Sequence, residues 1–449
     1  MSDKITAALK VRPSARQLRW QKLEFYGFIH FGMNTFTDQE WGDGKAPARL
    51  FNPAALDAGQ WAQTFKNAGM RGLILTCKHH DGFCLWPSRY TEYSVKNSPW
   101  QGGRGDVVKE AAEACAKEGL AFGIYLSPWD RHEASYGDSS RYNQFFLNQL
   151  RELLTGYGPI FSVWLDGACG EGPNGKRQEY DWEAYYALIR ELQPEAVISV
   201  VGPDVRWCGN EAGHCRESEW SVVPAALQLA ERIQGASQKV DDGKFSRRIK
   251  STDEDLGSRE AIAGAEELVW YPAEVNTSIR PGWFYHASED DKVRPLEELL
   301  EIYYNSVGGN ANFLLNVPPD QRGLIHENDL NCLLELGEVL RETFRHNLAA
   351  DSLPKTCLEF DLGEVRLLDR VVLGEEIELG QRVEAFTLYF RQSGEWLKCY
   401  EGTTIGYKRI CRLEPVQAKA IRLEITLARA NPYISQFEVY LSSDRERCR

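Results

Sequence analysis

Residues 160–167, IFSVWLDG, set one carboxylate, Asp166, directly after a short apolar run that Gly158 and Pro159 precede and Gly167 closes. Ile160, Phe161, Val163, Trp164 and Leu165 read as a strand buried on both faces, so Asp166 stands at its carboxyl end. In a barrel or doubly wound sheet that edge is where ligands bind, which makes such a carboxylate a catalytic candidate. The competing reading is an ordinary turn aspartate, and the other strand ends decide between the two. Strand one ends at His30-Phe31-Gly32 and its loop carries Glu40 and Trp41; strand two ends at Lys78-His79-His80-Asp81; strand three ends at Tyr125 to Asp130. The loop after strand five carries Asp204, Arg206, Trp207, Asn210 and Glu211. Five successive strand ends bearing polar and aromatic groups favour a pocket over chance decoration.

His79, His80 and Asp81 are metal-ligand types. Successive residues at a strand end are expected to face opposite sides, and the i, i+4 helical spacing of zinc hydrolases is missing. Neither metal nor cofactor is therefore expected. The histidines read as neutral partners of hydroxyl groups, or as satisfied core residues. No G-x-S-x-G is present, the cysteines lack a nearby base, and Gly102-Gly103-Arg104-Gly105 lacks the strand a phosphate-cradling loop would follow. Carboxylates, aromatics and histidines remain. That inventory suits glycoside hydrolysis, in which one carboxylate attacks or steadies the anomeric carbon and another gives and takes a proton.

The elements that must position these residues alternate from residue 26 onward. Strands are expected at 26–31, 73–77, 121–126, 160–165, 197–201, 268–271, 283–285 and 312–317, and helices at 57–68, 106–118, 142–155, 182–192, 295–306 and 326–345. Such alternation predicts an α/β fold with a parallel sheet, here a (β/α)8-type barrel, loosened in the charged stretch 240–260. After Asp351-Ser352-Leu353-Pro354 the period changes to two. Seven short segments, 357–362, 370–376, 384–391, 395–401, 404–413, 420–428 and 434–441, predict an antiparallel β-sandwich. The expected division is 1–349 for the barrel and 350–449 for the sandwich.

The totals exclude several function classes. A formal charge of −13 over 449 residues, with no Lys/Arg stripe, argues against nucleic acid. No stretch approaches the length of a membrane span, so no membrane partner is expected. Residues 1–20 lack the apolar core of a signal peptide, and the 11 cysteines are scattered without a C-x-x-C pair, so a cytoplasmic location with reduced thiols is expected. Thirteen Trp, 19 Tyr and 19 Phe supply flat apolar faces that serve sugars and cores alike.

The set HFG at 30–32, EW at 40–41, KHHDGFCLW at 78–86, YLSPWD at 125–130, WLDG at 164–167 and VRWCGNEAG at 205–213 closely resembles glycoside hydrolase family 29, the α-L-fucosidases. It looks most like the branch that cleaves α-1,3- and α-1,4-linked fucose from Lewis-type glycans. The C-terminal segment is similar to the discoidin-like sandwiches that accompany these enzymes. The resemblance implies a retaining double displacement on a fucosylated oligosaccharide or glycoconjugate. Asp166 would be the nucleophile and Glu211 the acid/base, with Glu217, Glu219 and Glu274 as the alternatives for the latter. His30, Glu40, Trp41, His79, His80, Tyr125 and Trp164 would hold the fucose, with Trp283 packed on its C5 methyl side. Such roles require a hydrogen-bonded nucleophile and an acid raised by an apolar neighbour, Trp207 or Trp220, with carboxyl groups about 5–5.5 Å apart. The alternatives are a fucose-binding protein whose hydrolysis has lapsed and a glycoside hydrolase for another sugar.

Overall fold

The computed structural model describes residues 3–172, 174–236, 255–349 and 359–447. In chain order the first ten strands are β1 (Phe25–Ile29), β2 (Gly72–Lys78), β3 (Ala121–Leu126), β4 (Ser162–Leu165), β5 (Val197–Val200), β6 (Arg206–Trp207), β7 (Val222–Pro224), β8 (Leu268–Trp270), β9 (Ala273–Ser278) and β10 (Ala311–Asn316). Eight of them form one parallel sheet in the order β5-β4-β3-β2-β1-β10-β9-β6. A parallel bridge between Ser199 and Val205 nearly closes it into the expected barrel. Strands β1, β2, β4 and β5 are buried at every position, as near-continuous apolar runs covered on both faces must be.

Helices Ala58–Asn67, Val107–Glu118, Ser139–Gly156 and Trp182–Leu192 cover the first half. Each starts behind an aspartate, respectively Asp57, Asp106, Asp138 and Asp181, whose side chain accepts a first-turn N–H. A cap of this kind contributes about 1 kcal/mol. Helices Leu296–Ser306 and Glu327–Thr343 complete the ring.

The second half departs from expectation at two strands. Residues 268–270 form β8, which pairs antiparallel with β7 outside the barrel. Residues 283–285 form no strand, because Trp283 and Phe284 give their backbone N–H groups to the Glu40 carboxylate. The barrel positions belong instead to β6, too short to show a period, and to β9, AEVNTS, which is too polar to read as a buried strand. Its alternate residues Glu274, Asn276 and Ser278 are fully or nearly fully buried and bond Trp164, Trp207 and Asn316. Inward-facing polar groups with partners replace the apolar signal.

The C-terminal part is antiparallel: β11 (Glu359–Glu375), β12 (Val383–Gln392), β13 (Glu395–Gly402), β14 (Arg409–Ala428) and β15 (Ile434–Tyr440), in the order β13-β12-β14-β11-β15. It is the expected β-sandwich, with its own core around Leu368, Val371, Phe386, Leu388, Ile421 and Val439. The seven expected segments become five strands. β11 joins two of them through register shifts at 361–366 and 368–370, and β14 joins another two. The break expected at 351–354 and most of the stretch 240–260 lie outside the described residues.

Candidate active site

The carboxyl ends of the barrel strands enclose a cavity lined by Phe28, His30, Trp41, His79, His80, Tyr125, Trp164, Asp166, Ala168, Val200, Trp207, Glu211, Asn276 and Trp283. Nine of the ten residues singled out from the sequence are among them. The tenth, Glu40, stands behind the wall: one carboxylate oxygen accepts Trp283 N at 2.9 Å, and the other accepts Phe284 N at 2.9 Å and pairs with His286 Nε2 at 2.9 Å. Glu40 thus holds the 282–286 loop that presents Trp283. His286 also meets Asp38 at 2.6 Å, and its bonds to Glu40 and Asp38 outweigh burial and raise it to about 9, so it stays charged.

Asp166 accepts at both oxygens, from Tyr125 Oη at 2.9 Å and from Ala168 N at 2.8 Å, with His80 Nε2 at 3.7 Å. Each oxygen of Asp166 is thus met by one donor. Glu211 is the opposite case. Burial, reinforced by the Asp166 charge, pushes its carboxyl up to about 8 against the lowering effect of a 3.3 Å bond from Trp283 Nε1. The two carboxyl groups of one cavity therefore stand in different surroundings, one accepting two hydrogen bonds and the other raised by burial. Trp207 lines the cavity near Glu211, whereas Trp220 packs elsewhere, beneath the Arg429 guanidinium.

None of the alternative glutamates reaches the cavity. Glu217 is exposed, and Glu219 is buried in an ion pair with Arg206. Glu274 lies fully buried inside the barrel, accepting Tyr26 Oη and, at 2.7 Å, Trp164 Nε1. It fixes the indole that floors the cavity.

His79 and His80 do not face opposite sides as expected. Strand β2 ends at Lys78, its pairing with β3 slips between Thr76 and Lys78, and strand alternation no longer governs the two histidines; their rings lie 4.1 Å apart on the same cavity. Burial depresses all three cavity histidines: His30 to about 3, His80 to about 4, and His79 well below its ordinary value. Their partners fix the tautomers. Ser127 Oγ lies 2.6 Å from the Trp129 carbonyl, which can only accept, so the hydroxyl hydrogen points there and His80 Nδ1–H donates to Ser127 at 2.7 Å. Asn316 gives its NH2 to Ser278 Oγ at 2.9 Å and to the Trp283 carbonyl at 2.8 Å, which turns its oxygen to His30 Nδ1–H at 2.8 Å. Asn34 gives its NH2 to the Glu40 carbonyl at 2.9 Å and, at 3.4 Å, to His79 Nδ1. His30 and His80 thus keep Nε2 as an acceptor and His79 keeps Nε2–H as a donor, a mixed set suited to a polyol.

Sequence reasoning missed Asn276, because β9 is too polar to read as a strand, and Asn316, which ends β10, a strand beyond the five whose ends carry the sequence signal. It also missed His286, on a loop that the fold brings to Glu40 from far along the chain. Val200, at the end of β5, has φ +69°, a strained value for a β-branched residue, at the point where that strand meets the cavity. Lys78 and Asp130, from the strand-end set, form a buried pair at 2.8 Å, and Asp204 accepts Ile198 N at 2.7 Å while pairing with Arg190; both are structural. Among the described residues no group of three or more His, Cys, Asp or Glu side chains is arranged to hold a metal ion.

Known proteins share this architecture. The protein-family model for alpha-L-fucosidase matches residues 15–343. The chain is 43% identical over 467 residues to alpha-L-fucosidase 1 of Arabidopsis thaliana, covering 96% of this chain and 87% of that one. The crystal structure of a putative alpha-L-fucosidase from Bacteroides ovatus is 48% identical with a TM-score of 0.90, covering 98% of this chain and 76% of that one. A Ruminococcus gnavus family 29 fucosidase in complex with fucose is 31% identical with a TM-score of 0.81, covering 97% and 95%.

Proposed function

The chain belongs to the alpha-L-fucosidase family and is a glycoside hydrolase of that activity, and from this we propose that it removes terminal α-1,3- or α-1,4-linked L-fucose from branched Lewis-type glycans by a retaining double displacement. The observation that carries the mechanism is the contrast between two carboxyl groups in one cavity: Asp166 accepting two donors, Glu211 buried and raised to about 8. Fucose in the family 29 relative from Ruminococcus gnavus supports the sugar. The motif resemblance supports the linkage.

In the first displacement Asp166 attacks the anomeric carbon while Glu211 gives its proton to the departing glycosidic oxygen. The Asp166–carbon bond forms as the carbon–oxygen bond breaks, leaving a β-fucosyl ester. Esterification removes the negative charge that helps to raise Glu211. Its carboxyl then falls toward the ordinary range, and Glu211 becomes the base that takes a proton from water in the second displacement. Neutral His30 and His80 accept from sugar hydroxyls and His79 donates to one. Trp283, held by Glu40, covers the apolar side of the ring.

The test is release of L-fucose from a Lewis-type trisaccharide by the wild type, Asp166→Ala and Glu211→Ala, with azide added to the variants. Each displacement inverts the anomeric carbon. With α-fucosyl fluoride supplied, whose leaving group needs no proton, azide should therefore yield β-fucosyl azide with Asp166→Ala and α-fucosyl azide with Glu211→Ala. Exchange of these two products would reverse the roles, and fucose binding without release from any fucosylated glycan would leave a lapsed hydrolase.

A further inference from the structure

Glu211 stands on the loop 208–220, which the barrel holds through Thr277 Oγ1 on Glu211 O at 2.8 Å, Cys208 N on Glu274 O at 2.9 Å and Cys215 N on Asn305 O at 3.2 Å, and whose far limb the C-terminal β-domain braces as well. Two carbonyls take the load. Glu217 O accepts Thr403 Oγ1 at 2.9 Å and Arg409 Nη1 at 3.0 Å. Glu219 O accepts Gln381 Nε2 at 3.1 Å and Thr404 Oγ1 at 3.3 Å from the β-domain, and Asn310 Nδ2 at 2.9 Å from the barrel. The Gln381 amide also accepts Ser221 N at 2.9 Å, so one side chain spans the end of the loop. Both carbonyls have their lone pairs filled, at Glu219 because buried backbone requires it and at exposed Glu217 in place of water.

The loop transmits this hold. Arg216 gives Nη1 to Cys208 O at 3.0 Å, tying the two limbs together, and Asn210 gives its NH2 to His214 O at 3.0 Å, closing the turn that carries Glu211. The barrel side offers no slack. A Cβ on Gly213 would meet Ile302 at 2.9 Å, and one on Gly309 would meet Cys215 Sγ at 2.5 Å. An antiparallel bridge joins Gly309 to Arg409, so the strand that supplies the guanidinium is itself stitched to the barrel. Arg409 is buried and, among the described residues, has no carboxylate partner; its bonds go to Glu217 O and to Tyr400 Oη at 3.4 Å. A buried guanidinium spent on a loop carbonyl is an expensive way to fill space.

We propose that the β-domain is a clamp that sets the height of Glu211 over the cavity, with Arg409 and Thr403 as positioning residues for proton transfer to the leaving group. The proposal rests on the reading of Glu211 as the acid. It assigns the β-domain a part in catalysis that requires no sugar site of its own. In the first displacement, the step that kcat/KM reports, moving a proton donor by a fraction of an ångström slows only those substrates whose leaving group needs the proton.

Leaving-group dependence tests this. Arg409→Met keeps the aliphatic stem and removes the donor, and Thr403→Val removes the other donor at nearly constant volume. The wild type, both variants and Glu211→Ala are assayed on an α-fucosyl-N-acetylglucosamine disaccharide, whose departing oxygen must be protonated, and on α-fucosyl fluoride, whose fluoride leaves unaided. Arg409→Met should lose roughly 10- to 100-fold in kcat/KM on the disaccharide and less than about 3-fold on the fluoride. Thr403→Val should fall in the same sense, by about 2- to 5-fold on the disaccharide, and carries the test alone if Arg409→Met does not fold. Equal losses on both substrates in these variants, or none on either, would overturn the clamp. Equal losses in Glu211→Ala would overturn the acid assignment, and the clamp with it.

Discussion

Replacing Trp283 by phenylalanine should move the alkaline limb of the pH–rate profile upward. Glu211 sits at about 8 because burial and the Asp166 charge raise it further than the Trp283 Nε1 bond lowers it. That bond, at 3.3 Å, favours the ionised form, so its removal disfavours ionisation and raises Glu211 further. A hydrogen bond to a charged group contributes about 1.5 kcal/mol at the low end, and a long one less. At 1.36 kcal/mol per unit this gives a rise of roughly 0.5–1 pH unit. Phenylalanine keeps a flat apolar face toward the sugar, so KM should change less than the limb moves. The assay is kcat/KM for fucose release between pH 5 and 10, which reports the free enzyme's groups. A limb unmoved or lowered in Trp283→Phe would refute the reasoning, because the indole would then not be bonding the ionised carboxylate.

Other perturbations bear on the same network. Glu211 ionises near 4.5 in the unfolded chain and near 8 when folded, so through that window the folded protein holds the extra proton and stability falls as pH rises. Glu211→Gln should therefore show a Tm advantage over wild type that widens from pH 5 to pH 8 in calorimetric scans. Nitrogen-15 spectra of labelled histidine should show neutral rings at pH 5.5, with His30 and His80 protonated at Nδ1 and His79 at Nε2; an imidazolium at any of the three would contradict the hydroxyl-binding assignment. In Glu274→Gln the amide oxygen must face Trp164 Nε1–H, leaving its NH2 against Tyr26 and the tyrosine hydrogen without an acceptor. The cost should be about 1–3 kcal/mol in denaturant titration, with a fall in kcat as the indole loosens. Lys78→Met strands the buried Asp130 carboxylate and should cost about 3–5 kcal/mol of stability, while the protein that remains folded binds fucose with little change.

Local chemistry alone made half of the barrel and most of the cavity legible. The apolar runs of β1 to β5 and the aspartate caps of their helices are strong period and start signals, and they carry His30, His79, His80, Tyr125 and Asp166 to one sheet edge because a parallel sheet puts every strand's carboxyl end on the same side. Glu211 was visible as one of four glutamates in loops. Which of them faces the cavity only the folded chain decides, since burial turns Glu219 into the partner of Arg206 and Glu274 into the anchor of Trp164, and neither fate is written in the neighbouring residues. β9 escaped notice because a barrel interior can satisfy polar side chains with polar partners, which erases the apolar signature of a buried strand. The tautomers of the histidines, the hold of Glu40 on Trp283 and the grip of the β-domain on the Glu211 loop join residues 45 to 286 positions apart. Hydrogen bonds of that range depend on where the folded chain brings its distant parts together, and no local pattern encodes them.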